Sequence, residues 1–198
     1  MDELKPHDNL KRMAIICWAL VALWMVAIFT FSANPADESE SQSGWFTHIV
    51  ASVIVPGYAE MTPEEQDAAA QPFDHPVRKT AHATEYAFLG VLVSVALAKS
   101  AAARAEAAGA AHAEAETARE KAAGAAGATT SRRRSFALRI VCATAICALY
   151  ASTDEFHQLF VPGRAGMLSD VGIDTLGAFV GILLAFLVMT RRRKRKAQ

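Results

Sequence analysis

Residues 170–190 read DVGIDTLGAFVGILLAFLVMT, and this stretch decides the fold. From position 175 on it carries no charge, and it is long enough as a helix to cross a hydrocarbon core of about 30 Å. Its first turn carries Asp170 and Asp174. Gly177 and Gly181 follow at helical spacing, so all four residues share one face. A Gly-x-x-x-Gly face lets a second helix approach closely. The face that packs is therefore the face that bears the carboxylates. Asp174 lies one turn inside the apolar run and needs a partner, with Arg164, Lys79 and His82 as the candidates.

Three more apolar segments stand upstream, at about 13–31, 79–98 and 136–156. A bilayer span needs roughly 20 apolar residues, so the chain has four. The first is too long for the 7–15-residue apolar region of a signal peptide and has no clear small-x-small cleavage edge. All but three of the 20 Lys and Arg residues fall at the N-terminus, between 99 and 139, or in the tail 191–196. The exceptions are Arg78, Lys79 and Arg164. The positive-inside rule then puts both termini and the 99–139 segment in the cytoplasm, as an even number of spans requires. The basic tail reads as a lipid-headgroup anchor after a span, not as a nucleic-acid patch. No nucleic-acid partner is expected. Cys17, Cys142 and Cys147 lie inside spans without a C-x-x-C pattern and read as small packing residues.

The expected fold is all-α: a polytopic membrane protein with four transmembrane helices in one bundle. A short interfacial helix is expected in the first outer loop, where Trp45, Phe46, Ile49, Val50, Val53 and Ile54 recur at helical spacing. Pro56-Gly57 ends it. Thr62-Pro63-Glu64-Glu65 looks like a capping box opening a second short helix that stops before Pro72. The Ala-rich segment 99–135 reads as a solvated helix or linker interrupted at Gly109, Gly124 and Gly127. Residues 191–198 are expected to be disordered.

Three polar blocks sit at the outer ends of the spans, where ionisable groups are expensive and mark candidate sites. In the second span His82, Glu85, Tyr86 and Leu89 fall on one helical face, with Lys79 a turn outward. The third span ends in Asp154, Glu155, His157 and Gln158, followed by Pro162-Gly163-Arg164. The fourth begins with Asp170 and Asp174. His82, Glu85, Asp154 and Glu155 are candidates for proton transfer or for binding a divalent cation. A His with several carboxylates suits Zn, Mn or Mg in principle, but the spacing is no recognised metal signature, and neither metal nor cofactor is identified. Lys79, Tyr86, Gln158, Arg164, Asp170 and Asp174 are candidates for substrate binding, with Lys79 and Arg164 holding an anion. A register-fixing ion-pair network is the competing structural reading.

These blocks resemble the VanZ-like family. Lys79, His82, Glu85 and Tyr86 match its K-x-x-H-x-x-E-Y helix start. Asp154, Glu155, Gln158, Phe160, Pro162, Gly163 and Arg164 match D-E-x-x-Q-x-F-x-P-G-R. Asp170, Asp174, Gly177 and Gly181 match the last motif, although Asp174 stands where many relatives have Asn. The stretch Phe31-Ser32-Ala33-Asn34-Pro35 is also similar. The Ala-rich segment looks like an insertion. The resemblance implies a bacterial inner-membrane protein, in a family named for a member linked to teicoplanin resistance, with no firmly established reaction. Two functions are left open: binding or modifying a lipid or lipid-linked envelope precursor, and a transporter or accessory subunit with a proton or cation relay.

Overall fold

The computed structural model describes residues 6–116 and 128–196, and all regular structure in them is helical. The long helices are α1 (Pro6–Ser32), α2 (Ala36–Ile54), α3 (Pro63–Glu116), α4 (Ala128–Gln158) and α5 (Leu168–Lys196), with a 3-10 turn at Tyr58–Glu60. Four of them, α1, α3, α4 and α5, are long and apolar enough to cross a membrane. Their outward faces agree with that. Leu23, Val26, Leu138, Val141, Leu149, Leu176 and Leu184 are all exposed, which is tolerable only against lipid.

The inward faces are built from small residues. A Cβ on Gly177 would run into the carbonyl oxygen of Ala83, one on Gly181 into that of Ala87, and one on Gly90 into that of Ala178. Helices α3 and α5 therefore cross in direct backbone contact, as the Gly-x-x-x-Gly spacing requires. Indole hydrogen bonds tie α1 to α3: Trp24 Nε1 donates to the Glu85 carbonyl (3.0 Å) and Trp18 Nε1 to Ser100 Oγ (3.0 Å). Tyr150 on α4 donates its hydroxyl to the Met25 carbonyl of α1 at 2.5 Å.

The buried stripes run to the same end. They are Val21, Ile28 and Ser32 on α1; Ala96, Val93, Leu89 and Tyr86 on α3; Ala143, Cys147, Ala151, Asp154 and Gln158 on α4; and Ala185, Ile182, Ala178 and Asp174 on α5. Each apolar stripe finishes in a polar group. The fold thus delivers a polar cluster to one end of a packed apolar core.

Outside the spans, α2 and the 3-10 turn pack on the first part of α3 through Ala51, Tyr58 and Ala70. The opposite face of α2 leaves Trp45, Phe46, Ile49, Val53 and Ile54 exposed, the uncovered apolar stripe of an interfacial helix. The capping box forms: Thr62 N donates to Glu65 Oε2 (2.8 Å) and Glu65 N to Thr62 Oγ1 (3.4 Å).

Three expectations about helix ends are overturned. There is no separate helix stopping before Pro72, because α3 runs through Pro72 and Pro76 as one element. The two prolines are four residues apart and both exposed, so the carbonyls they leave unbonded face outward, where water satisfies them. The packing of Ala70 and Phe73 under α2 holds the other side of the helix. Gly109 does not interrupt α3, which continues to Glu116, since one Gly costs only about 1 kcal/mol in an Ala-rich run. Gly124 and Gly127 lie outside the described residues. Helix α5 also continues to Lys196 instead of ending at the membrane edge.

Candidate functional site

The cluster begins with the last turn of α1. Ser32, fully buried, donates its hydroxyl to Asp154 Oδ2 at 2.7 Å. Gln158, one turn further along α4, spreads its amide over Glu155 Oε1 (3.0 Å), Asp154 Oδ2 (3.4 Å) and Ser32 Oγ (3.5 Å). The other Glu155 oxygen, Oε2, accepts from the backbone N–H of Met167 at 2.9 Å. That bond folds the α4–α5 loop back over the end of α4. Gly163, at φ 73°, makes the turn, and Gly166 sits so close to the Glu155 carbonyl that no Cβ would fit. Glu155 is thereby fixed at both oxygens.

Arg164 extends from this loop to the end of α1. Its Nε donates to the Asn34 carbonyl (3.2 Å) and its Nη2 to the Phe31 carbonyl (3.5 Å), so it ties the loop to the chain as it leaves α1. Burial, and next the like charge of Arg78, lower the Arg164 pKa. Two guanidinium groups therefore stand within each other's field. Lys79 on α3 pairs with Asp170 Oδ1 of α5 at 2.6 Å, both side chains being one-quarter exposed, and Ser169 donates to the same oxygen at 3.1 Å.

A cleft of about 180 Å³ lies between these elements. Its walls are His75, Arg78, Lys79 and His82 from α3, Glu155 and Gln158 from α4, Gly163, Arg164, Ala165 and Met167 from the loop, and Asp170, Ile173 and Asp174 from α5. Seven sequence candidates therefore line one cavity: Lys79, His82, Glu155, Gln158, Arg164, Asp170 and Asp174. Glu85, Tyr86 and Asp154 do not line it. Asp154 is 1% exposed and Tyr86 fully buried, both behind the cleft wall. Glu85 gives its main-chain carbonyl to Trp24 of α1, and its carboxyl is within electrostatic reach of Asp154 and Arg164. Glu85 is thus placed outside the cavity that Asp174 lines.

The proposed partners of Asp174 also differ from expectation. Lys79 is taken by Asp170 and Arg164 by the α1 carbonyls. Asp174 is 1% exposed, and its Oδ2 has no hydrogen-bond partner among the described residues. His82 Nδ1, Tyr86 OH and Asp154 Oδ1 are buried without partners as well. Among the described residues no group of three or more His, Cys, Asp or Glu side chains could hold a metal ion. His157 turns away from the cleft and stacks on Phe29, ring centroids 4.3 Å apart.

Ser32 and His75 escaped the sequence reading as site residues. Ser32 continues the Val21–Ile28 stripe, and extending that register by four residues would have found it. His75 stands one and two turns before Lys79 and His82 on the same α3 face, but the two prolines hid that continuity.

A family model for VanZ/LLP1 matches residues 17–189. No curated protein and no solved structure matches the chain. The matched segment contains the second and third spans whole, most of the first and fourth, and every residue of the cleft, and on it the chain belongs to the VanZ/LLP1 family.

Proposed function

We propose that this protein binds, or acts on, the headgroup of a lipid or lipid-linked envelope component at the outer face of a bacterial inner membrane, with both termini in the cytoplasm. One observation carries the reading. Among the described residues, the buried acidic and amide side chains within the spans, Asp154, Glu155, Gln158 and Asp174, all gather at one end of the helices around the cleft. Polar groups this costly to bury are kept for a task. The neighbouring guanidinium groups of Arg78 and Arg164 supply the anion-seeking wall. Lys79, neutralised by Asp170, acts as a brace between α3 and α5. His82 is the acid–base candidate, because it lines the cleft and its Nδ1 has no partner among the described residues. Asp154 acts on it electrostatically from behind. A proton or cation relay would need ionisable groups through the inner halves of the spans, and the buried residues there are apolar apart from Ser94, Thr144 and Cys147. The link to teicoplanin resistance rests on the family resemblance.

A photoreactive amino acid at His75, in the cleft wall, tests the reading in cells. It should capture a selected subset of envelope lipids. The same probe at Leu149, 69% exposed on the apolar face of α4, should capture bulk phospholipid. Identical adducts at both positions, or none at His75, would reject it. Deletion of the gene should lower the inhibitory concentration of teicoplanin if the resistance link holds.

A further inference from the structure

The cleft selects more than an anion. Its walls and the wall behind them carry Glu85, Asp154, Glu155, Asp170 and Asp174 against Arg78, Lys79 and Arg164. Carboxyl groups outnumber permanent cations, so past Arg78 and Arg164 the cleft offers acceptors that a purely anionic headgroup leaves unused. The hydrogen-bond inventory shows where a positive group would go. Glu155 has both oxygens satisfied and Asp170 is paired with Lys79. Asp174 is different: it lines the cleft, is 1% exposed, and its Oδ2 has no partner among the described residues. A buried carboxylate oxygen without a donor costs several times what an ordinary hydrogen bond returns, and a ligand donor relieves that cost.

We propose that the cleft takes a small group carrying both a phosphate and a primary amine, the phosphate against Arg78 and Arg164 and the amine donating to Asp174. This rests on the headgroup-binding reading and names its ligand class. The size agrees: about 180 Å³ is below the roughly 300–1,000 Å³ of sites for drug-sized ligands, so it suits a single headgroup and excludes a sugar–peptide unit. The group can arrive on a lipid, as in phosphatidylethanolamine, or as free phosphoethanolamine.

The test is native mass spectrometry of the full chain, released from micelles doped with phosphatidylethanolamine, phosphatidylglycerol or phosphatidylcholine of the same acyl chains. The expected result is at least tenfold preferential retention of phosphatidylethanolamine over both others. Phosphatidylcholine has the charge but no N–H, so it separates hydrogen bonding from charge. Asp174→Asn should erase the preference and leave phosphatidylglycerol retention unchanged. Competition by millimolar free phosphoethanolamine, without any lipid preference, would assign the same chemistry to a soluble ligand. Equal retention of all three lipids, lost in Arg78→Ala, would overturn the amine assignment while leaving the headgroup site standing. Retention indifferent to both substitutions, with no competition, would overturn the headgroup reading as well. The wild-type lipid comparison decides the matter even if a variant fails to fold.

Discussion

Ser32 and Asp154 form the contact that most directly joins the end of α1 to the site, and its strength can be measured. The Ser32 hydroxyl is fully buried and donates to Asp154 Oδ2 at 2.7 Å; the Gln158 amide leans on the same oxygen at 3.4 Å. Replacing Asp154 by Ala removes a hydrogen bond to a charged acceptor, worth about 1.5–3 kcal/mol, and strands a buried donor at about 1–3 kcal/mol. The two contributions overlap, so the expected loss is about 2–4 kcal/mol. Asp154→Asn keeps an oxygen for Ser32 and should cost about 1 kcal/mol or less. The double-mutant cycle with Ser32→Ala should return a coupling of about 1–3 kcal/mol. The assay is unfolding in mixed micelles against increasing sodium dodecyl sulfate, followed by far-UV circular dichroism. A coupling below about 0.5 kcal/mol, or an Asn variant as damaged as the Ala variant, would refute the idea that this bond closes the site.

Helix contact can be probed by Gly181→Leu, whose side chain meets the Ala87 carbonyl and should cost about 1–3 kcal/mol or more in the same assay, while Gly172→Leu, with open space where its Cβ would stand, should be neutral. The Lys79–Asp170 brace predicts that Lys79→Asp and Asp170→Lys each weaken the fold and that the double exchange recovers most of the loss, read as sodium dodecyl sulfate midpoints. Topology predicts that Glu65→Cys reacts with an impermeant maleimide in intact cells and Ala115→Cys only after lysis, and the reverse labelling would invert the site to the cytoplasmic face.

The gathering of polar ends was legible in the sequence because register is simple arithmetic on helices this long. Asp174 and the glycines share a face at every plausible helix start, so a close helix contact and the depth of Asp174 followed together, although not that α3 is the helix that makes it. What each neighbour of a polar face touches was not legible. At about 100° per residue, Glu85 lies roughly 60° to one side of His82 and Tyr86 about 40° to the other. Within that arc three helices meet α3, so one apparent face is divided among them. Glu85 stays outside the cleft, its main-chain carbonyl taken by Trp24 of α1; Tyr86 goes into the core; of the three, His82 alone lines the cleft. Arg164 was legible only in part for a related reason. Its place beside the cleft was legible, but not that the carbonyls of Phe31 and Asn34 would take two of its donors and leave the rest of the guanidinium for the cleft.

The prolines give the sharper lesson, because their misreading hid part of the site. A Pro breaks a helix when its ring and its missing N–H fall where packing needs regular backbone. Pro72 and Pro76 fall one turn apart on an exposed face, so both defects point to the same outward side. The opposite side, through Ala70 and Phe73, is held by α2 and Tyr58. The two costs are thus concentrated where water can absorb them, and the helix survives. Its survival carries His75 and Arg78 in register with Lys79 and His82, which builds the basic wall of the cleft. Shifting one defect to the packed side should therefore damage the site as well as the helix. Ala70→Pro places the ring under α2, where neither carbonyl nor ring has room; it should release α2 from α3 and weaken ligand retention at the cleft. Pro72→Ala should tighten the helix and leave retention unchanged. Amide hydrogen exchange across residues 63–80 separates the outcomes, and protection of that segment in Ala70→Pro equal to wild type would show that α2 does not brace the wall.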